Sequence, residues 1–303
     1  MLINMKQLLT VAKENQFAVG AFNVADSNFL RVVIEAAEEN DAPAIIAVHP
    51  TELAFTKDEF FHYAVSRAKN SSVPIVIHMD HGDSLASIMR AIHMDHHCGF
   101  SSVMIDGSLL SFEENIALTK QITEICHPIG VSVEGELGTI GNTGTSVEGG
   151  VSEVIYTRPE DAQEFIEKTG IDTLAVAIGT AHGIYPKDIK PELKMDVLQE
   201  IKDRVDIPLV LHGGSANPDE EIAQAVAIGI QKVNISSDYK YAFYKKCRQI
   251  LAETELWDPN AIYPECIEAA KAVVTQKMTL FNAIGKAALY RQQNVQPWRS
   301  EQN

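Results

Sequence analysis

Cysteine, positive charge and long apolar runs are all scarce in this sequence, and each shortage removes a class of protein. Only four cysteines occur, Cys98, Cys126, Cys247 and Cys266, with no CxxC pair among them, so isolated reduced thiols are expected rather than a disulfide framework. The longest apolar stretches, such as residues 42–48 and 174–178, are far too short to cross a bilayer. Lys and Arg number 25 against 41 Asp and Glu, a formal charge of −16 that argues against a nucleic-acid partner. An acidic chain can still hold an anion, but only in a pocket prepared locally from metal, helix N-termini and backbone N–H groups. No basic segment followed by an apolar stretch opens the chain, so no signal peptide is expected and a cytoplasmic address follows. Linkers, repeats and low-complexity segments are absent too. One domain is expected over residues 1–291, with a flexible polar tail at 292–303.

What is present is ordinary globular composition, 46% hydrophobic and 22% charged, in a chain long enough to bury a full core. Eight short β-branched or apolar runs fall at 17–22, 44–48, 74–77, 102–105, 131–134, 173–178, 208–211 and 232–235. A helical stretch follows each, at 28–39, 57–69, 84–93, 112–126, 159–168, 194–204, 219–228 and 239–252. Strands of this length, each followed by a helix, imply parallel pairing through crossovers. Eight units in about 250 residues fit a closed α/β (β/α)8 (TIM) barrel. After a break at Asp258-Pro259, a C-terminal helical extension is predicted over 265–284.

Barrel enzymes carry their reactive groups where strands end, on the C-terminal face. Strand three ends His78-Met79-Asp80-His81-Gly82, strand four Asp106-Gly107-Ser108, and strand five Glu134-Gly135-Glu136. Strand six ends Thr180-Ala181-His182-Gly183, strand seven His212-Gly213-Gly214-Ser215, and strand eight Asn234-Ile235-Ser236-Ser237. A single His at such a place is most simply a hydrogen-bonded structural side chain. Histidines at three strand ends, each near Gly, favour a metal, and a three-His set leaves the open position of a catalytic zinc. Gly183, Gly213, Gly214, Ser215 and the 234–237 turn lie where barrels often hold a phosphate at a helix N-terminus. A Schiff-base mechanism would need a Lys at the mouth. No strand end supplies one, and Lys232, at the start of strand eight, is expected on the opposite face. The cluster from His93 to Cys98 ends a helix leading away from the rim and is expected to be solvated surface.

With these residues laid out, the sequence resembles the class II fructose- and tagatose-bisphosphate aldolases along nearly its whole length. Residues 73–82, Val-Pro-Ile-Val-Ile-His-Met-Asp-His-Gly, carry the most specific match. Residues 18–23, 102–108, 179–183 and 211–215 follow in the family's order. The resemblance implies that His81, His182 and His212 bind zinc and that Asp80 is the general acid/base. It implies that Asp106 and Glu136 lie near the metal and hold it in an alternative position. Asn23, Gly183, Gly213, Gly214, Ser215, Asn234, Ile235, Ser236 and Ser237 match substrate-binding positions. They would hold a sugar phosphate, with a monovalent cation (Na+ or K+) nearby, in a homodimer or homotetramer.

Two departures bear on mechanism and substrate. The family's mobile loop after strand five places an acid where this chain has none, and Glu148 is the nearest substitute, ahead of Glu136 and Glu153. Beyond Asp258-Pro259 many relatives carry an Arg for the distal phosphate, whereas this chain has Glu265. The same chemistry on a ketose 1-phosphate or an acidic sugar phosphate, releasing a non-phosphorylated aldehyde, is therefore an alternative. A non-catalytic subunit supporting a partner aldolase is a third reading, against which the retained His and Asp residues argue. A hydrolase on the same fold would need ligands at Phe22-Asn23, which offers none.

Overall fold

The computed structural model describes residues 1–93, 99–143, 155–183 and 192–298. Among the described residues ten strands run β1 Val19–Asn23, β2 Ala44–Val48, β3 Ile75–Gly82, β4 Ser102–Ile105, β5 Ser132–Leu137, β6 Gly141–Asn142, β7 Thr173–Val176, β8 Ala181–His182, β9 Leu209–Leu211 and β10 Ile230–Ile235. Eight of them close a parallel barrel in the order β1-β10-β9-β7-β5-β4-β3-β2, while β6 and β8 pair separately. The helices are α1 Met5–Glu14, α2 Ser27–Glu39, α3 Pro50–Lys69, α4 Leu85–Ile92, α5 Phe112–Cys126, α6 Pro159–Thr169, α7 Met195–Arg204, α8 Asp219–Ile228, α9 Ser237–Glu253, α10 Pro259–Leu280 and α11 Ala287–Gln292. This is the (β/α)8 architecture expected from the alternation.

Every residue of each barrel strand is buried, which is why the strands read as apolar runs rather than alternating ones. Among the buried polar residues of these strands are three pairs spaced by two, His78 and Asp80, Glu134 and Glu136, Lys232 and Asn234. Side chains two apart on a strand share a face, so each pair projects into the barrel as a unit. α1 carries buried Met5, Leu8 and Leu9 beneath the strands, and the Ile3 N–H donates to the Ile75 carbonyl (2.9 Å) at the start of β3.

Three expectations are corrected. α3 begins at Pro50, not near residue 57; His49 and Glu52 form its capping box, and Lys57 at φ 67° breaks it into two helical pieces. α10 starts at Pro259, because the proline read as a break occupies the first helical turn, where its missing N–H costs nothing. The segment expected to be loose after Arg291 is held as far as Trp298. Its backbone N–H donates to the Leu2 carbonyl (2.9 Å) and its indole N–H to the Gly130 carbonyl (2.7 Å). Among the described residues no helix is long and apolar enough to cross a membrane.

Candidate active site

β3 is not a regular strand at its end. Its register against β4 shifts between Met79 and Gly82, and His81 takes the left-handed region at φ 48°. A non-glycine residue there costs on the order of 1 kcal/mol, and such strain persists where the surroundings hold it. The irregularity lets neighbours Asp80 and His81, which regular pleating would send to opposite faces, both serve the mouth.

The His81 Nδ1–H donates to Asp106 Oδ2 (2.9 Å), and the His212 Nε2–H donates to Glu134 Oε1 (2.9 Å). With those protons committed, the remaining nitrogens, Nε2 of His81 and Nδ1 of His212, face each other with lone pairs only 3.0 Å apart. Two lone pairs so close repel unless a cation or an extra proton sits between them. His182 completes the group, and all three rings are buried with ligand atoms within 4.8 Å of one another. Glu136 Oε2, buried with no hydrogen-bond partner, lies 3.7 Å from His212 Nδ1. His81, Asp106 and Glu136 form a second such group. This donor set fits a divalent cation, with carboxylates orienting two imidazoles from behind.

The charges agree. Burial alone would lower the His81 pKa, but Asp80, Asp106 and Glu136 together lift it to about 10. Burial and the neighbouring Asp106 push Glu136 well above the carboxylate range. So many acids around two imidazoles make a field that a bound cation would satisfy.

Asp80 is clamped on both oxygens. The Asn23 amide donates to Oδ2 (2.8 Å) and the Asn234 amide to Oδ1 (3.1 Å). Burial would raise Asp80, but His81, His212 and Lys232 outweigh it and hold the acid well below its usual range. Asp80 is therefore held as a carboxylate fixed in place by two amides. Asn23 and Asn234, matched by resemblance to substrate contacts, here orient that acid.

Lys232 corrects a sequence expectation. It does not lie on the opposite face: its fully buried ammonium donates to Glu134 Oε1 (2.8 Å), the oxygen that also accepts from His212. His78, with its Nδ1 beside Ser102 Oγ (2.8 Å), is driven down to about 3 by burial and by Lys232, and stays neutral. Glu134 and Lys232 were given no role from sequence. The signal was there, since Glu134 stands two before Glu136 and Lys232 two before Asn234.

In the turn after β9, Gly213 (φ 61°) packs so tightly that a Cβ would meet the Ala181 carbonyl oxygen at 2.7 Å. The Gly214 N–H is not open to a ligand, because it donates to the Asn234 carbonyl (3.0 Å). Ser215 Oγ accepts from the N–H groups of Ser236 and Ser237 (3.2 Å each), which draws the two halves of the expected cradle together. Ile235 is fully buried, and its side chain packs against this turn, where a Cβ on Gly214 would meet its Cδ1 at 3.2 Å. Gly183, at φ 102°, follows His182 directly.

Glu148 and Glu153 lie outside the described residues. The segment that carries them leaves from the backbone of a histidine of the site: the Thr143 N–H and hydroxyl both donate to the His182 carbonyl (3.0 and 2.9 Å). At its other end, Thr139 and Ile155 are bonded to each other twice. In the discounted cluster, exposed His93 donates Nδ1–H to the Met89 carbonyl (2.9 Å), and residues 94–98 lie outside the described residues.

A parallel barrel with three histidines and flanking carboxylates at its C-terminal mouth defines a metal-assisted barrel enzyme. Residues 3–286 match the family profile described as fructose-bisphosphate aldolase class-II. The chain is 39% identical over 294 residues to a fructose-bisphosphate aldolase of Geobacillus stearothermophilus, covering 95% of this chain and 99% of that one. Its structure is similar to the YdjI aldolase of Escherichia coli K12, with TM-score 0.81, 35% identity, and coverage of 95% and 100%. It is also similar to a putative fructose-1,6-biphosphate aldolase from Coccidioides immitis, with TM-score 0.84, 30% identity, and coverage of 94% and 98%. The chain belongs to the class II fructose-bisphosphate aldolase family. It is an aldolase, a carbon–carbon lyase of a metal-dependent family, and its His-rich site is one that could hold the metal.

Proposed function

We propose that the protein is a zinc-dependent aldolase that reversibly cleaves a ketose 1,6-bisphosphate of the fructose or tagatose type. The products are dihydroxyacetone phosphate and an aldehyde such as glyceraldehyde 3-phosphate. The observation that carries this reading is the pair of imidazole nitrogens 3.0 Å apart beside a doubly clamped Asp80. A zinc ion on His81, His182 and His212 would supply Lewis-acid polarisation of the substrate carbonyl.

The chain's own residues do the rest. Asp80 accepts the proton of the C4 hydroxyl, the C4–O bond becomes a carbonyl, and the C3–C4 bond breaks with its electron pair left on C3. Asn23 and Asn234 keep the Asp80 oxygens aimed through that step. A second acid then protonates C3, and Glu148 is our assignment for it. Asp106 and Glu136 support the metal or offer it a second position. Gly183, Gly213, Gly214, Ser215 and residues 234–237 form the phosphate cradle, with a monovalent cation alongside. The active unit is a homodimer or homotetramer, and its address is cytoplasmic.

Glu265 favours a second reading. It is an exposed acid paired with Lys246 (3.6 Å) where a distal phosphate would ask for a cation. A ketose 1-phosphate or acidic sugar phosphate, split to a non-phosphorylated aldehyde, accommodates that charge.

One experiment tests both readings. The enzyme is chelated, reconstituted with zinc, and assayed in condensation with dihydroxyacetone phosphate against phosphorylated, neutral and acidic aldehydes. Activity should vanish on chelation and return with zinc, and His212→Ala should lose both metal and turnover. Activity in metal-free protein, or substrate trapped on the chain by borohydride, would defeat the proposal. The aldehyde preferred decides between the two substrates.

A further inference from the structure

We propose that Cys247 and Cys266 are a redox pair, two thiols that a hydroperoxide joins into a reversible disulfide between α9 and α10. The inference concerns residues that the aldolase reading does not use, and it stands whether or not that reading does.

No CxxC spacing marks these cysteines, and in the linear sequence they look like isolated thiols. The fold brings them together. The Cys247 and Cys266 side chains lie in hydrogen-bond contact across the two helices. Separate contacts between the same helices hold this alignment. Lys246 Nζ lies 3.6 Å from Glu265 Oε2, and the ring centroids of Phe243 and Tyr263 are 5.4 Å apart. The Cys266 S–H donates to the Ile262 carbonyl (3.3 Å), one turn back in its own helix. With that proton engaged, Cys247 meets the sulfur lone pairs of Cys266.

Each thiol has the surroundings its role needs. Cys247 is half-buried and is the one an oxidant reaches first, whereas Cys266 is fully buried. Burial, reinforced by the neighbouring Cys247, pushes the Cys266 thiol up to about 11, so near neutral pH it stays protonated. A cavity of 440 Å³ opens beside the pair, lined by Lys246 next to Cys247 and by Pro264, Glu265 and Ile267 around Cys266. A small peroxide fits such a space. Pro264, inside α10, lacks the N–H that would bond the Asn260 carbonyl, so this turn can give as the sulfurs draw together.

The chemistry takes two steps. The Cys247 sulfur attacks one peroxide oxygen, the O–O bond breaks, and a sulfenic acid and a water form. The Cys266 sulfur then attacks the sulfenic sulfur, the S–O bond breaks, and a second water leaves with the Cys266 proton. Two thiols give up two electrons, and the peroxide is reduced to two waters. A small thiol reverses the bond by exchange. The helix so tied serves the barrel, because the Tyr239 hydroxyl donates to the Asn23 carbonyl and Asp238 accepts the Ala216 N–H. The simpler alternative is a pair of small apolar side chains filling a gap between helices.

The test uses the full-length, metal-replete protein, reduced and then treated with hydrogen peroxide, beside Cys247→Ser and Cys266→Ser. Peptide mapping by mass spectrometry should find Cys247 joined to Cys266 within one chain. The melting temperature of the oxidised protein should rise by roughly 5 °C, as for closure of a short loop, and fall back on reduction. Cys266→Ser should stop at the sulfenic acid of Cys247, which dimedone captures, while Cys247→Ser should leave Cys266 as a thiol. Absence of the Cys247–Cys266 peptide, or its formation only between chains, overturns the proposal. A bond that lowers the melting temperature overturns it too, since the helices would then be strained by the bond rather than poised for it.

Discussion

At the scale of residues, the buried pair Lys232–Glu134 sets the posture of His212. Glu134 sits fully inside the barrel; burial would raise its pKa, but the Lys232 charge and the His212 hydrogen bond hold it below its usual range. Removing one member of a buried ion pair strands the other, which typically costs about 3–5 kcal/mol. Lys232→Met should therefore lower stability by about that amount, read in denaturant titrations. Glu134→Gln tests the link to the site, because loss of such an orienting partner usually costs about 10- to 100-fold in metal affinity. The double variant Lys232→Met/Glu134→Gln should recover stability but not metal affinity. Recovery of both would reduce the pair to packing. Much of the site was legible at this scale: the histidines and Asp80 could be placed because they follow apolar runs at strand ends. Lys232 was misplaced because strand order was used and the two-residue period was not. The clamping of Asp80 by two amides was beyond reach, since it depends on β1, β3 and β10 meeting across the barrel.

Among the elements, the turn from Gly213 to Asn217 shows how side chains hold a strained loop in one shape. Ala216 sits at φ 58°, a left-handed conformation that side chains disfavour. Asp238, near the start of α9, accepts the Ala216 N–H (3.0 Å) and is itself paired with Lys277 (3.1 Å) of α10. The Asn217 amide donates to the Gly213 and Ser215 carbonyls (2.6 and 3.1 Å). Asp238→Ala should destabilise the protein by about 2 kcal/mol, through a lost hydrogen bond to a charged acceptor and a less well paired Lys277. Adding Ala216→Gly should return part of this, because glycine adopts the left-handed conformation without strain. Thermal unfolding of the three variants checks the order, and no rescue would mean the turn is set elsewhere. The regular elements were readable because strand and helix periods differ. The short pair β6–β8 left no trace in sequence, since two residues per strand carry no period. The early start of α3 was missed although Pro50 and Glu52 spell a capping signal.

For the molecule as a whole, the barrel separates support from chemistry. α1 and the stretch around Trp298 lie beneath the strands, while His81, His182, His212 and Asp80 stand at the opposite rim. The hydrogen bond from the Trp298 N–H to the Leu2 carbonyl brings two positions nearly 300 residues apart in sequence into direct contact. The linear order of the chain is then not essential to the barrel. A short Gly-Ser bridge joining residue 298 to residue 2, with new ends cut in the exposed stretch 254–257 between α9 and α10, should fold to the same architecture. Such a permutant should bind as much metal per chain as the parent, measured by elemental analysis of the purified protein. An insoluble or metal-free product would show that the order of synthesis matters. If it folds, the closed ring of strands is the heritable unit, and the place where the polypeptide is opened is a choice left free.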